Sequence, residues 1–90
     1  MVKKKPVLRI STGAVSRVLK RQFSQDVLQN IPEVSLWIAV IVQAFSDLDT
    51  RYHHSARNFL LGGELENVCG RIGLEPSVVQ MFFGEFGLER

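Results

Sequence analysis

The chain has 90 residues, of which 46% are hydrophobic and 22% charged, with one cysteine and a net charge of +2. That length supports one core rather than two, and the apolar content excludes general disorder. A single cysteine excludes an internal disulfide framework and fits a reducing, cytoplasmic compartment.

The charge is unevenly spread. Residues 1–25 carry seven cations, Lys3, Lys4, Lys5, Arg9, Arg17, Lys20 and Arg21, and no acid. Residues 26–90 carry four arginines and nine acids. A basic amino-terminal segment on an acidic body points to an anionic partner for that segment. Residues 1–6 read as a basic, disordered arm ended by Pro6, and residues 7–90 as a single helical domain. No apolar run follows the lysines, so the start does not read as a secretory signal. Val7 to Ile10 reads as a short extended segment, which needs an edge from a second chain to pair with.

Ser11 or Thr12 suits the cap of a helix from about Gly13 to Gln22. Ala14, Val15, Val18, Leu19 and Phe23 recur at helical spacing, and Arg17, Lys20 and Arg21 gather on the other side. Ser24 suits the cap of a short helix over Gln25 to Asn30, bringing Val27, Leu28 and Ile31 to the core. Pro32 fits the first position of the next helix, which runs to about Asp49. Its apolar residues, among them Trp37, nearly encircle it, so it is expected to be central and buried. The run from Val34 to Phe45 is shorter than the roughly 20 residues a bilayer span needs, so no membrane partner is expected. Trp37→Ala is expected to cost about 3–5 kcal/mol, as for a large core aromatic.

Arg51 to Leu61 reads as a further helix, with Tyr52, Ala56, Phe59 and Leu60 inward and Gly62-Gly63 ending it. His53 and His54 are adjacent, so on a helix they point about 100° apart and chelate one metal poorly. Cys69 occupies a position that asks for a small buried residue and reads as inert packing. No carboxylate pair, phosphate loop or metal-ligand spacing stands out. The chain reads as a non-enzyme with no cofactor and no metal.

Residues 65–82 follow the pattern of a helix-turn-helix. Val68, Ile72, Leu74, Val79 and Phe82 are apolar where two crossed helices share a core. Gly73 falls at a sharp turn that favours φ > 0, and Pro76 at the first position of the second helix. Val79, Phe82 and Phe86 are assigned to the inner side of that helix. Ser77, Val78, Gln80, Met81 and Glu85 are assigned to its outer side. There Gln80 suits an adenine edge and Ser77 a phosphate. Residues 64–90 hold two arginines and five acids, so phosphate neutralisation has to come from the amino-terminal segment. Val78, Met81 and Phe83 are also expected to form an exposed apolar patch, fit for a host protein or a homodimer.

The stretch Leu36 to Ala44 with Asp47, and Val68-Cys69 with Gly73-Leu74-Glu75-Pro76, resemble small phage- and prophage-type proteins. Those chains share an apolar Trp-containing helix and a Val-Cys…Ala-Gly-Leu-Asp-Pro-like turn; here Ile72 stands for the commoner Ala and Glu75 for Asp. The resemblance implies a phage accessory or regulatory protein. The expectation is therefore an all-α domain of about five helices that binds DNA. Lys3, Lys4, Lys5, Arg9, Arg17, Lys20, Arg21, Ser77 and Gln80 are its nucleic-acid contacts. The alternative is a module that binds a host protein through Val78, Met81 and Phe83.

Overall fold

The computed structural model describes residues 11–88. Every regular element among them is helical: α1 (Thr12–Arg21), α2 (Gln25–Asn30), α3 (Pro32–Asp47), α4 (His53–Leu61), α5 (Gly63–Ile72), α6 (Pro76–Gln80) and a 3-10 helix over Gly84–Phe86. The all-α expectation is met. The expected arm, the extended Val7–Ile10 segment, and Lys3, Lys4, Lys5 and Arg9 lie outside the described residues. No helix of the described residues is long and apolar enough to cross a membrane.

Each helix start has a local cause. The Ser11 side chain accepts from the Ala14 N–H at 3.2 Å, and Ser24 accepts from the Val27 N–H at 3.2 Å. Both satisfy one of the orphan donors that a helix start leaves. Pro32 opens α3 and Pro76 opens α6, where the missing N–H costs no bond. Between α4 and α5 the chain passes Gly62, where any Cβ would lie 2.7 Å from the Asn58 carbonyl oxygen. Only glycine tolerates that approach.

Helix α3 is the hub, with α1, α2, α4 and α5 all packing on it. Val34, Ile38, Ile41, Ala44 and Phe45 form its buried face. Burying each large side chain is worth roughly 1.5–3 kcal/mol before chain entropy is subtracted. The expectation that α3 is covered nearly all round is not met. Leu36 is 60% exposed, and Trp37 is only half-buried, its indole N–H reaching the Glu33 carboxylate at 3.4 Å. The four packed helices leave one stripe of α3 facing solvent.

Tyr52, expected inside, is 55% exposed. The turn before α4 explains it. Thr50 accepts the Tyr52 N–H on its hydroxyl at 3.0 Å, and its carbonyl accepts the His53 N–H at 3.1 Å. The helix thus begins at His53 rather than Arg51, and Tyr52 stands outside the inward stripe. Arg51 covers the tyrosine ring at 5.3 Å.

The carboxyl-terminal segment is fastened by rings. Phe45 of α3 meets Phe82, Phe83 and Phe86 at centroid distances of 6.3, 6.2 and 4.8 Å. After α6 the backbone tightens: Phe82, Phe83, Glu85 and Phe86 each donate to the carbonyl three residues earlier. Leu88 then closes the segment by donating to the Phe83 carbonyl at 2.9 Å.

Candidate nucleic-acid interface

Two expected surfaces can be placed on this frame, the cationic face of α1 and the outer side of α6. On α1, Val15 and Leu19 are fully buried, while Arg17, Lys20 and Arg21 are exposed. Opposite faces of one ten-residue helix thus do opposite work, which is what its apolar spacing implied. Lys20 and Arg21 also occupy the last turn, where cations complement the helix dipole.

Between these faces runs a third stripe. Thr12, Ser16 and Lys20 are spaced by four residues, so they share one side of α1. They form one wall of a groove of about 350 Å³ against Ser35, Ala39, Gln43 and Ser46 of α3, floored by Ile38 and Val42. A second cleft of about 490 Å³ continues from it, lined by Lys20, Arg21, Phe23, Gln25, Leu28 and Ser35. Lys20 and Ser35 line both, so the two hollows adjoin at these residues. Thr12 lines only the first, which sets α1 antiparallel to α3.

The lining has a consistent chemistry. Among the described residues it holds two cations, four hydroxyls and two side-chain amides, and no carboxylate. The Ser35 hydroxyl donates to the Leu28 carbonyl at 3.3 Å, and the Gln43 amide donates to Asp47 at 2.8 Å. Each oxygen keeps acceptor capacity beyond the bond its own side chain donates. The clefts elsewhere differ, because the one beside Trp37 includes Glu64 and the one beside α4 includes Asp47.

The helix pair α5–α6 has the expected turn. Gly73 adopts φ 77°, and Leu74 donates to the Cys69 carbonyl at 2.9 Å, a bond from the second residue past the helix end back into its last turn. Cys69, Leu74, Val68, Ile72, Val79 and Phe82 are all buried. Burial pushes the Cys69 thiol up from 9.0 to about 11, and the Glu66 carboxylate adds to it. A neutral, enclosed thiol is a packing group.

The outer side of α6 is smaller than expected. The α-helix spans five residues, about 7.5 Å. Ser77, Met81 and Glu85 are exposed, while Val78 and Gln80 are half-buried. One assignment is overturned: Phe83 is 5% exposed and lies in the core. It stands four residues after Val79 and three before Phe86, which places it on the inward stripe with them. The expected apolar patch of Val78, Met81 and Phe83 is thereby reduced to Met81, 66% exposed, and part of Val78.

The structure does not bring all the expected residues together. Arg17, Lys20 and Arg21 share α1, and Ser77 and Gln80 share α6. But α1 packs on α3, whereas α6 packs on α5 and, through the rings that follow it, on Phe45. His53 and His54 stack on one another at 4.2 Å in the exposed start of α4. Among the described residues no group of three or more His, Cys, Asp or Glu side chains is placed to hold a metal. Compared with protein-family models, curated proteins and solved structures, the chain matches none.

Proposed function

We propose that this is a small, non-enzymatic nucleic-acid-binding protein, an accessory or regulatory factor of phage type. The observation that carries the reading is the depression along α1, whose lining among the described residues has no carboxylate, with hydroxyls along the first hollow, Lys20 where the two hollows meet and Arg21 in the second. Cations neutralise phosphates, and hydroxyls donate to their oxygens. The amino-terminal Lys3, Lys4, Lys5 and Arg9 add to the same sign of charge. The helix-turn-helix pair is the second contact in this reading, with Ser77 on a phosphate and Gln80 on a base edge. The phage assignment rests on the sequence resemblance.

Titrating labelled single- and double-stranded DNA at several salt concentrations tests the reading. Binding is expected to weaken steeply with salt, because each neutralised phosphate contributes a slope of about 0.7 on a single strand and about 0.9 on a duplex. Lys20→Gln with Arg21→Gln lowers the slope by about 1.4 or about 1.8 respectively. Deleting residues 1–5 flattens it further. Absence of binding to either form at low salt ends the proposal.

Exposed Met81 favours one other reading, a module that docks on a host protein. With Phe83 buried, that surface is held by Met81 and part of Val78. It predicts partner binding that is insensitive to salt and unchanged by the Lys20 and Arg21 substitutions.

A further inference from the structure

We infer that the depression along α1 takes one unpaired strand of nucleic acid, with a base stacked on the Phe23 ring. This rests on the nucleic-acid reading above and narrows it to a substrate class. Three observations lead to it.

The first is shape. The two connected hollows, about 350 and 490 Å³, each fall in the size range of sites that enclose small ligands. A concave slot between two helices admits one backbone with its bases. A duplex instead asks for an element that stands out from the protein and enters a groove. Among the described residues the element expected to do so, α6, is five residues long and is flanked by Glu75 and Glu85. Those carboxylates oppose phosphates.

The second is the order of groups along the slot. From Thr12 to Lys20 is eight residues of helix, about 12 Å. Over that distance the wall offers Thr12 and Ser16 hydroxyls and then the Lys20 ammonium, with Arg21 beyond. A strand lying along α1 meets phosphate donors at one-turn intervals. Facing it, Ser35 and Gln43 keep the acceptors left by their own hydrogen bonds. These suit N–H donors of bases, the thymine imide N–H among them.

The third is Phe23. It is half-buried at the α1–α2 corner and is the one aromatic residue in the lining of either hollow. A ring beside two cations at the end of a backbone-tracking slot is the combination that single-strand binders use. Every base has a π-face, so the contact tolerates any sequence.

Fluorescence anisotropy tests the inference with a labelled oligo-dT strand of about 12 nucleotides, a length within the site sizes of known single-strand binders. The same-length duplex and free dTMP serve as comparison arms. The strand is expected to bind about ten-fold tighter than the duplex. Phe23→Leu keeps an apolar side chain but loses the ring face, and is expected to weaken strand binding about ten-fold, within the range for one stacked base. Phe23→Tyr restores it. Thermal melts confirm that each variant is folded. If the leucine variant does not fold, photo-crosslinking the unaltered protein to a 5-iodouracil strand reads the same contact, with the adduct expected at Phe23. A duplex bound more tightly than the strand, with Phe23→Leu neutral or the adduct elsewhere, overturns the inference and leaves the broader reading standing. Competition by dTMP at concentrations comparable to the strand also overturns it, in favour of a free nucleotide. If neither strand nor duplex binds at low salt, both proposals fall.

Discussion

Truncating Phe45 to alanine is expected to be among the most damaging single changes in this fold. The residue is fully buried in α3 and contacts three rings of the carboxyl-terminal segment. Removing a core phenylalanine side chain costs about 3–5 kcal/mol, through lost transfer energy and the cavity left behind. Tilted and edge-to-face ring pairs add about 0.5–1.5 kcal/mol each beyond burial. The loss therefore belongs at the upper end, about 5 kcal/mol. A chain of this length has a total stability on the order of 5–13 kcal/mol, at 0.05–0.15 kcal/mol per residue. Phe45→Ala should thus remove from about two-fifths to all of the stability, leaving about 0–8 kcal/mol at 25 °C. Trp37 is the control. It is larger, but half-buried at the rim, so Trp37→Ala is expected to cost only about 1–2 kcal/mol, in the ordinary range for single substitutions. Urea melts followed by far-ultraviolet circular dichroism measure both. A Trp37 loss equal to or above that of Phe45, or a Phe45 loss under about 2 kcal/mol, would show that the ring cluster does not hold the carboxyl-terminal segment to α3.

Other substitutions probe single links. Gly73→Ala forces a Cβ into the left-handed region and should cost about 1 kcal/mol or more, read from the same melts. Ser11→Ala and Ser24→Ala each remove a capping acceptor and should cost about 1 kcal/mol. The raised thiol of Cys69 means that the unfolded chain ionises first, so stability should fall as pH rises from 9 towards about 11, and be unaffected by this group below that window. Alkylation of Cys69 at pH 8 should be slow in the native protein and fast in denaturant; equal rates would show the site to be open. A two-fold dimer through Val78 and Met81 predicts a mass near twice 10.2 kDa by light scattering, returned to 10.2 kDa by Met81→Glu; a monomer mass for the unaltered protein at tens of micromolar rejects it.

The helical content was legible because the spacing in this chain is regular. Ser11, Ser24, Pro32 and Pro76 mark starts, and Gly62 and Gly73 mark ends, each for a stated steric or hydrogen-bonding reason. What failed was the side of a helix on which a residue lies. Tyr52 keeps helical spacing with Ala56, which points it to the core, but Thr50 draws the chain into a turn that delays the helix. Phe83, expected outside, is buried and shares the spacing of Val79 and Phe86. Its spacing to both is that of the inward stripe, and the Phe45 ring across the core, 6.2 Å from it, supplies the partner that the sequence does not show. Leu36 failed for the reverse reason, since an apolar residue signals burial only if the fold supplies a neighbour. The groove was half-legible. Lys20 and Arg21 were read as cationic, and the four-residue spacing of Thr12, Ser16 and Lys20 was there to be seen. The far wall was not, because only the antiparallel packing of α1 on α3 brings Ser35 and Gln43 to face them.

That packing also decides how the two candidate surfaces divide the work. The features that made residues 65–82 look like a DNA reader are its buried apolar positions, its left-handed glycine and its opening proline. All of them are accounted for by packing: Cys69, Leu74, Val79 and Phe82 fill the core, and the turn satisfies the end of α5. The apolar side chains of the signature are buried, and Gly73 and Pro76 serve the backbone turn, so the signature describes how two helices cross and carries no information about a ligand. Recognition has to be argued from what is left outside. On α6 that is Ser77, Met81 and part of Gln80, with Glu75 and Glu85 beside them. On α1 it is Arg17, Lys20 and Arg21, on a helix without an acid. Long-range attraction to phosphate depends on the sign of the local charge, and it sets the first encounter before any base edge is read. On the proposed nucleic-acid reading, the encounter surface is therefore α1. The helix pair at the other end of the chain would join the contact only where a bound nucleic acid extends far enough to reach Ser77 and Gln80.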